Sequence, residues 1–196
     1  MNPERAARAK DLHKQHKQLV LTINVLDADV RFAADHWRKA PNSQFWRRTL
    51  VRCLCALTEG TLGLLKAATP DTAHFFHVVL TKDDIKVATQ RREYEENGVI
   101  KTKPAFLPFR DNIKATFTVF AKAHATQVAL RCGDAGFNDL CDTFELRNKL
   151  MHPKSLFDLE VSDKAVAAAD QGMKWFDSTL RAVLEQCGSQ LPYRRK

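Results

Sequence analysis

The chain holds seven glycines and seven prolines in 196 residues. Average proteins carry roughly 12% of the two together, so few residues here turn or break the backbone. Long helices are the expected outcome, and an all-β fold, which needs frequent turns, is close to excluded. The length suits a single domain, 1–196, with a sizeable core. Hydrophobic residues at 44% and charged residues at 28% describe an ordinary globular composition and not a disordered tail. No apolar run approaches the roughly 18 residues of a bilayer span. The N-terminal stretch MNPERAARAKDLHKQHK lacks the apolar core of a signal peptide, so a cytoplasmic location with no membrane partner is expected.

Apolar periodicity places the helices. Leu12, Leu19, Ile23, Leu26, Val30 and Ala34 mark a first helix from about Arg5 to Arg38, broken by Pro41-Asn42-Ser43. Ser43 is positioned to cap a second, core helix to about Ala68, with Trp46, Leu50, Cys53, Leu54, Leu57, Thr61, Leu64 and Leu65 on one face. After Pro70 and a short apolar segment, Phe75 to Leu80, Thr81-Lys82-Asp83-Asp84 predicts a helix start and Asn97-Gly98 its end. Residues 99–108, with two prolines and little period, read as an internal connecting loop. Further helices are predicted from Phe109 to Arg131, from Asp134 to His152, and from a Ser162 cap through Cys187. The expected architecture is an all-α bundle of four to five long helices.

Lysine and arginine outnumber aspartate and glutamate by 31 to 23, a formal charge of +8 that biases the surface toward polyanions. The excess lies in an N-terminal group (Arg5, Arg8, Lys10, Lys14, Lys17), in Arg47, Arg48 and Arg52, and in the tail Arg194, Arg195, Lys196. Each taken alone reads as a solvated face or a chain end. Cysteines 53, 55, 132, 141 and 187 are odd in number and form no C-x-x-C clip, so they read as reduced thiols with no metal site.

The helix from Asp134 breaks its own pattern. Phe137, Leu140, Cys141 and Phe144 form an apolar stripe whose continuation lands on Arg147, Asn148 and Met151. Polar groups at positions that ask for leucine need partners or a purpose. His152 follows Asn148 by four residues, on the same face, but lies about 140° around an ideal helix from Arg147. Pro153 disfavours helical geometry in the residue before it, which frees His152 to turn. A guanidinium grips a phosphate with paired hydrogen bonds. An imidazole moves protons near neutrality. Asn148 is suited to orienting the imidazole or the substrate.

The run Glu145-Leu146-Arg147-Asn148-Lys149-Leu150-Met151-His152-Pro153 resembles the R-x4-6-H signature of the HEPN superfamily of small all-helical domains, in the form with a polar residue after the arginine. The late position of the motif, with one more long helix after it, is similar too. The resemblance implies a HEPN-like domain that cleaves RNA without metal or cofactor, at a site formed where two copies meet. Arg147 and His152 are then the essential pair, with Asn148 in support. The 2′-hydroxyl would attack the adjacent phosphate, assisted by His152 and with Arg147 stabilising the developing charge. The resemblance also implies a toxin or effector of a toxin–antitoxin or antiphage module, restrained by a nucleotidyltransferase-like antitoxin. Lys149 and Lys154 flank the motif as candidate contacts to the RNA backbone.

The alternative from residue chemistry is a non-catalytic helical module that binds RNA, a nucleotide or a protein. Arg147 would then bridge to a neighbouring helix, Asn148 would cap a carbonyl, and His152 would end its helix at the negative pole. Glu59 is a possible partner for Arg147, but on the helical wheel it falls with Arg48, Arg52 and Lys66, so an exposed ion pair is expected. His74, His77 and His124 read as histidines with ordinary hydrogen bonds. Trp37, Trp46 and Trp175 read as core or interface residues.

Overall fold

The computed structural model describes residues 3–188, with side chains from residue 6 onward. The tail Arg194, Arg195, Lys196 and the Arg5 side chain lie outside the described residues. The fold is all-α: six α-helices and one two-stranded sheet among the described residues. The helices are α1 (Pro3–Lys39), α2 (Gln44–Phe75), α3 (Lys82–Thr89), α4 (Phe109–Ala123), α5 (Ala135–Met151) and α6 (Asp163–Gly188). Strands β1 (Arg91–Glu96) and β2 (Val99–Pro104) pair between α3 and α4 in sequence. No described helix is long and apolar enough to cross a membrane.

Where the sequence suggests one domain over 1–196, the contacts gather in two compact units. One comprises residues 3–19, 62–129 and 182–188; the other comprises 20–61 and 130–181. Helices α1, α2 and α6 contribute residues to both.

The first unit departs most from expectation. Helix α2 does not stop before Pro70 but continues to Phe75. Proline fits helical φ and removes one backbone donor, while Phe75 joins Leu12 and Ala9 in a buried apolar cluster that favours the extra turns. Thr81 caps α3 as predicted, with the reciprocal Thr81–Asp84 bonds of a capping box. The helix nevertheless ends at Thr89, and the reading of 99–108 as a loop is corrected, since Val99–Pro104 is a strand. Asn97 and Gly98 both take positive φ, 55° and 74°. That is the geometry of a tight hairpin turn and not of a helix end. It pairs Arg91 with Pro104 through to Glu96 with Val99. Helix α4 is also shorter than expected. The Thr126 amide bonds back to Ala121 and the Ala125 amide to Lys122, with Ala125 at φ 54°, a closure usually given to glycine.

The second unit follows its apolar stripes. Val30 and Ala33 of α1, Leu50, Val51, Leu54 and Leu57 of α2, Leu150 of α5 and Val166 and Ala169 of α6 form one buried cluster. Helices α5 and α6 approach closely at Gly172, where an added Cβ would lie 2.6 Å from the Leu140 amide nitrogen. Phe137 packs on Trp175, whose indole N–H donates to the Arg131 carbonyl at 3.1 Å. Arg47, expected on a solvated face, is buried instead. It donates to the Pro41 carbonyl at 2.6 Å, to the Val161 carbonyl at 2.8 Å and to the Asp163 carboxylate.

Candidate functional site

Helix α5 carries the motif at its C-terminal end, within the second unit. The apolar face runs through Phe137, Leu140, Cys141, Thr143 and Phe144, all buried, and ends at Leu150. It does not continue through Asn148 and Met151, which are exposed. At the end of the stripe the next inward position after Arg147 is three residues on, Leu150, and not four, Met151. Of the two polar residues placed on that stripe by the sequence, only Arg147 lies against the packed side.

Arg147 is half-buried and ion-paired with Glu59 of α2. Its guanidinium carbon sits 5.4 Å from the centre of the Phe144 ring, a favourable cation–π placement. Cys55, one turn before Glu59, is buried and its Sγ lies 3.8 Å from the Thr143 carbonyl. Burial pushes the Cys55 thiol up to about 12, against the opposing pull of the Arg147 charge. It is held as an inert neutral thiol beside the arginine.

His152 is the C-cap of α5, with φ −132° and ψ 59°. Its amide still reaches the Asn148 and Lys149 carbonyls at 3.1 and 3.2 Å. Pro153 thus has the predicted effect: the backbone leaves the helix at His152, and the imidazole is exposed. No hydrogen bond joins Arg147 to Asn148 or to His152 within the chain. The structure brings Arg147 to Glu59 and leaves Asn148, Lys149, His152 and Lys154 at the solvent surface of the same helix end and the turn after it.

That turn is built by Asp158. Its carboxylate accepts from the Lys154 amide at 2.8 Å and from the Ser155 amide at 3.0 Å, and these bonds hold it below the usual carboxylate range. A short 3-10 turn, Leu156–Leu159, follows. Met151, Leu156 and Phe157 are exposed around the motif, the last two by more than four-fifths of their surface.

No family model, curated protein or solved structure matches this chain.

Two features of it were misjudged or missed in the sequence. Glu59 is the direct partner of Arg147 and not a member of a separate surface pair. Its wheel neighbours also make tertiary bonds. Arg48 donates to the Leu159 carbonyl at 3.0 Å, and Arg52 donates to the Leu150 carbonyl at 3.4 Å. Arg52 also adds an exposed cation at the end of α5. The available signal was the spacing of Arg48, Arg52 and Glu59, which puts three charges on one edge of a core helix. Lys66, on the same edge, belongs to the first unit, where it is buried and donates to Asn112 Oδ1 at 2.5 Å. Among the described residues no three His, Cys, Asp or Glu side chains gather as metal ligands do.

Proposed function

We propose that the chain is a metal-independent endoribonuclease of the HEPN type, working as a homodimer. The observation that carries this reading is the state of His152. Its imidazole is exposed, has no partner among the described residues, and stands where the backbone leaves α5, four residues from the equally exposed Asn148. Arg147 is anchored on the preceding turn.

In this reading the ribose 2′-hydroxyl attacks the adjacent phosphorus while an imidazole takes its proton. The bond to the 5′-oxygen of the next nucleotide breaks, and that oxygen is reprotonated. Arg147 stabilises the charge that builds on the phosphoryl oxygens. For this it exchanges the Glu59 carboxylate for phosphate. Lys149, Lys154 and Arg52 hold the backbone on either side. A second copy over Met151, Leu156 and Phe157 removes exposed apolar surface from water, at roughly 25 cal/mol per Å², and brings two copies of His152 to one cleft. A nucleotidyltransferase-like antitoxin as regulator, and a toxin or antiphage role, belong to this reading.

The experiment is RNA cleavage by the purified chain and by the Arg147→Ala and His152→Ala variants. Each variant is expected to lose at least about 100-fold in rate, as removal of a proton-transfer or charge-stabilising group does, with the fold and the dimer intact. Wild-type-like cleavage by both would reject the assignment. One observation favours a second reading, a non-catalytic binding module: the Arg147–Glu59 ion pair already gives Arg147 a structural role. Such a module would lose RNA affinity with Arg147 and keep it without His152.

A further inference from the structure

The first unit carries a second concentration of cations that the sequence does not announce. Helix α3 and the β1–β2 hairpin enclose an open cleft of about 490 Å³. Lys82 and Lys86 line it from the helix, and Arg91 and Arg92 from β1. Asp83 and Glu93 also line it, leaving an excess of two positive charges. Among the described residues none of the four has an ion-pair partner, in contrast to Lys122, which is tied to Asp84 at 2.5 Å and thereby joins α4 to α3. The base of the hairpin is closed by the Ala105 amide on the Gln90 carbonyl at 2.9 Å.

The strand register adds an independent sign. It sets Arg92 directly opposite Lys103, and like charges opposite one another destabilise a strand pair. Lys103 lies over the Tyr94 ring, 4.7 Å from its centre. Because side chains alternate along a strand, Arg92 and Lys103 share one face of the hairpin and Arg91, Glu93 and Thr102 the other, so cations stand on both faces and an anion at either would stabilise it. The character of the cleft decides which anion. Small-ligand sites are mostly apolar and bury their ligand, whereas here Ile85 is the only large apolar group in the lining and every charged side chain but Lys86 is exposed. A polyelectrolyte strand needs no burial, because its affinity comes from releasing condensed counterions.

We propose that the cleft between α3 and the hairpin docks the phosphate backbone of a single RNA strand, neutralised by Lys82, Lys86, Arg91 and Arg92. The choice of RNA over other polyanions rests on the function proposed above. The docking itself does not.

The test is fluorescence anisotropy of a labelled single-stranded RNA of about 12 nucleotides, titrated with the whole chain carrying His152→Ala so that the probe stays intact. Lys82→Gln with Lys86→Gln, and Arg91→Gln with Arg92→Gln, are compared with Arg91→Lys with Arg92→Lys, which keeps the charge. Each glutamine pair is expected to weaken binding about tenfold or more at low salt. Each should also flatten the slope of log K against log salt by about 0.7 per cation removed. The lysine pair should retain both. Unchanged affinity and slope in the glutamine variants, with thermal melts showing them folded, overturn the proposal. So does equal affinity for heparin, or saturation of the cleft by a mononucleotide at similar concentration. If the wild-type chain cuts no RNA yet the glutamine variants lose binding, the ribonuclease reading falls and the docking site stands. If cleavage depends on Arg147 and His152 while the glutamine variants bind normally, the reverse holds.

Discussion

Two arginines of the second unit, Arg47 and Arg147, each face a carboxylate from another helix, and they do different work. Around Arg47 every direction is filled: two carbonyls and Asp163 accept from its guanidinium, and Gln44 binds the Val161 peptide from both sides, at 2.8 and 3.2 Å. Around Arg147 there is one carboxylate, one aromatic ring and a half-open surface, with Asn148 and His152 exposed at the same helix end. A buried guanidinium with saturated donors is architecture, because desolvating it is tolerable only when its hydrogen bonds are made. One with donors in reserve at a solvent boundary is available to a ligand. Counting satisfied donors separates the two where sequence pattern cannot.

The contrast can be broken by mutation. Arg47→Ala is expected to destabilise the fold by about 2–4 kcal/mol, since it removes three charge-assisted bonds from a buried position and leaves the space of the side chain unfilled. Arg147→Ala should cost under about 1 kcal/mol, as a part-exposed ion pair does. Denaturant melts of both variants check this, and equal losses would erase the distinction.

The same logic extends to imidazoles, with an effect of comparable size. His16 and His124 stack at 5.1 Å in the first unit, and the Nε2 of each is buried without a partner. His124 Nδ1 donates to the Phe120 carbonyl at 2.9 Å. Burial, with the charges of His124 and His13, lowers His16 to about 4, and burial lowers His124 as well. On His16 the unfolded chain takes up its proton near pH 6.5 and the folded chain only near pH 4, and His124 shifts in the same direction. Stability is therefore flat above about pH 6.5, falls as the pH drops toward 4, and levels below it. The loss from His16 is at most about 3 kcal/mol. Urea melts at pH 7, 5.5 and 4.5 should show it, and His16→Phe should flatten the profile.

Smaller effects sharpen the picture. Glu59→Gln releases Arg147 from its carboxylate and should strengthen RNA binding several-fold, equivalent to roughly 1 kcal/mol, while leaving the fold intact; a weaker complex would mean that Glu59 positions the guanidinium for its ligand. Helix ends give the last comparison. His152 closes α5 at negative φ, whereas Ala125 closes α4 in the left-handed region at 54°. Ala125→Gly relieves that conformation and should raise stability by about 0.5–1 kcal/mol in thermal melts.

Much of the helical frame was legible. The limits of α1, α5 and α6 follow from apolar periodicity and from Pro41, Pro153 and Ser162, because those signals act within one turn of the chain. The freedom of His152 was legible for the same reason, since Pro153 acts on its immediate neighbour. The hairpin was not: Arg91 to Glu96 has no strand pattern of its own, and its pairing with Val99 to Pro104 outweighs local preference. The place of Asn148 was misread because a three-or-four stripe leaves two choices at each step, and packing at Leu150 chose.

Sequence by itself determined that this chain is helical, where most of its helices begin and end, and that an arginine, an asparagine and a histidine cluster at one helix end. Only tertiary structure decided which cations are spent. Arg47 and Lys66 are buried in bonds, whereas Arg147 meets Glu59 at a half-open surface and Arg91 and Arg92 line a cleft without an ion-pair partner among the described residues. Helix formation reads neighbours three and four residues away, whereas the partner of a charge is set by what the fold carries to it from elsewhere in the chain.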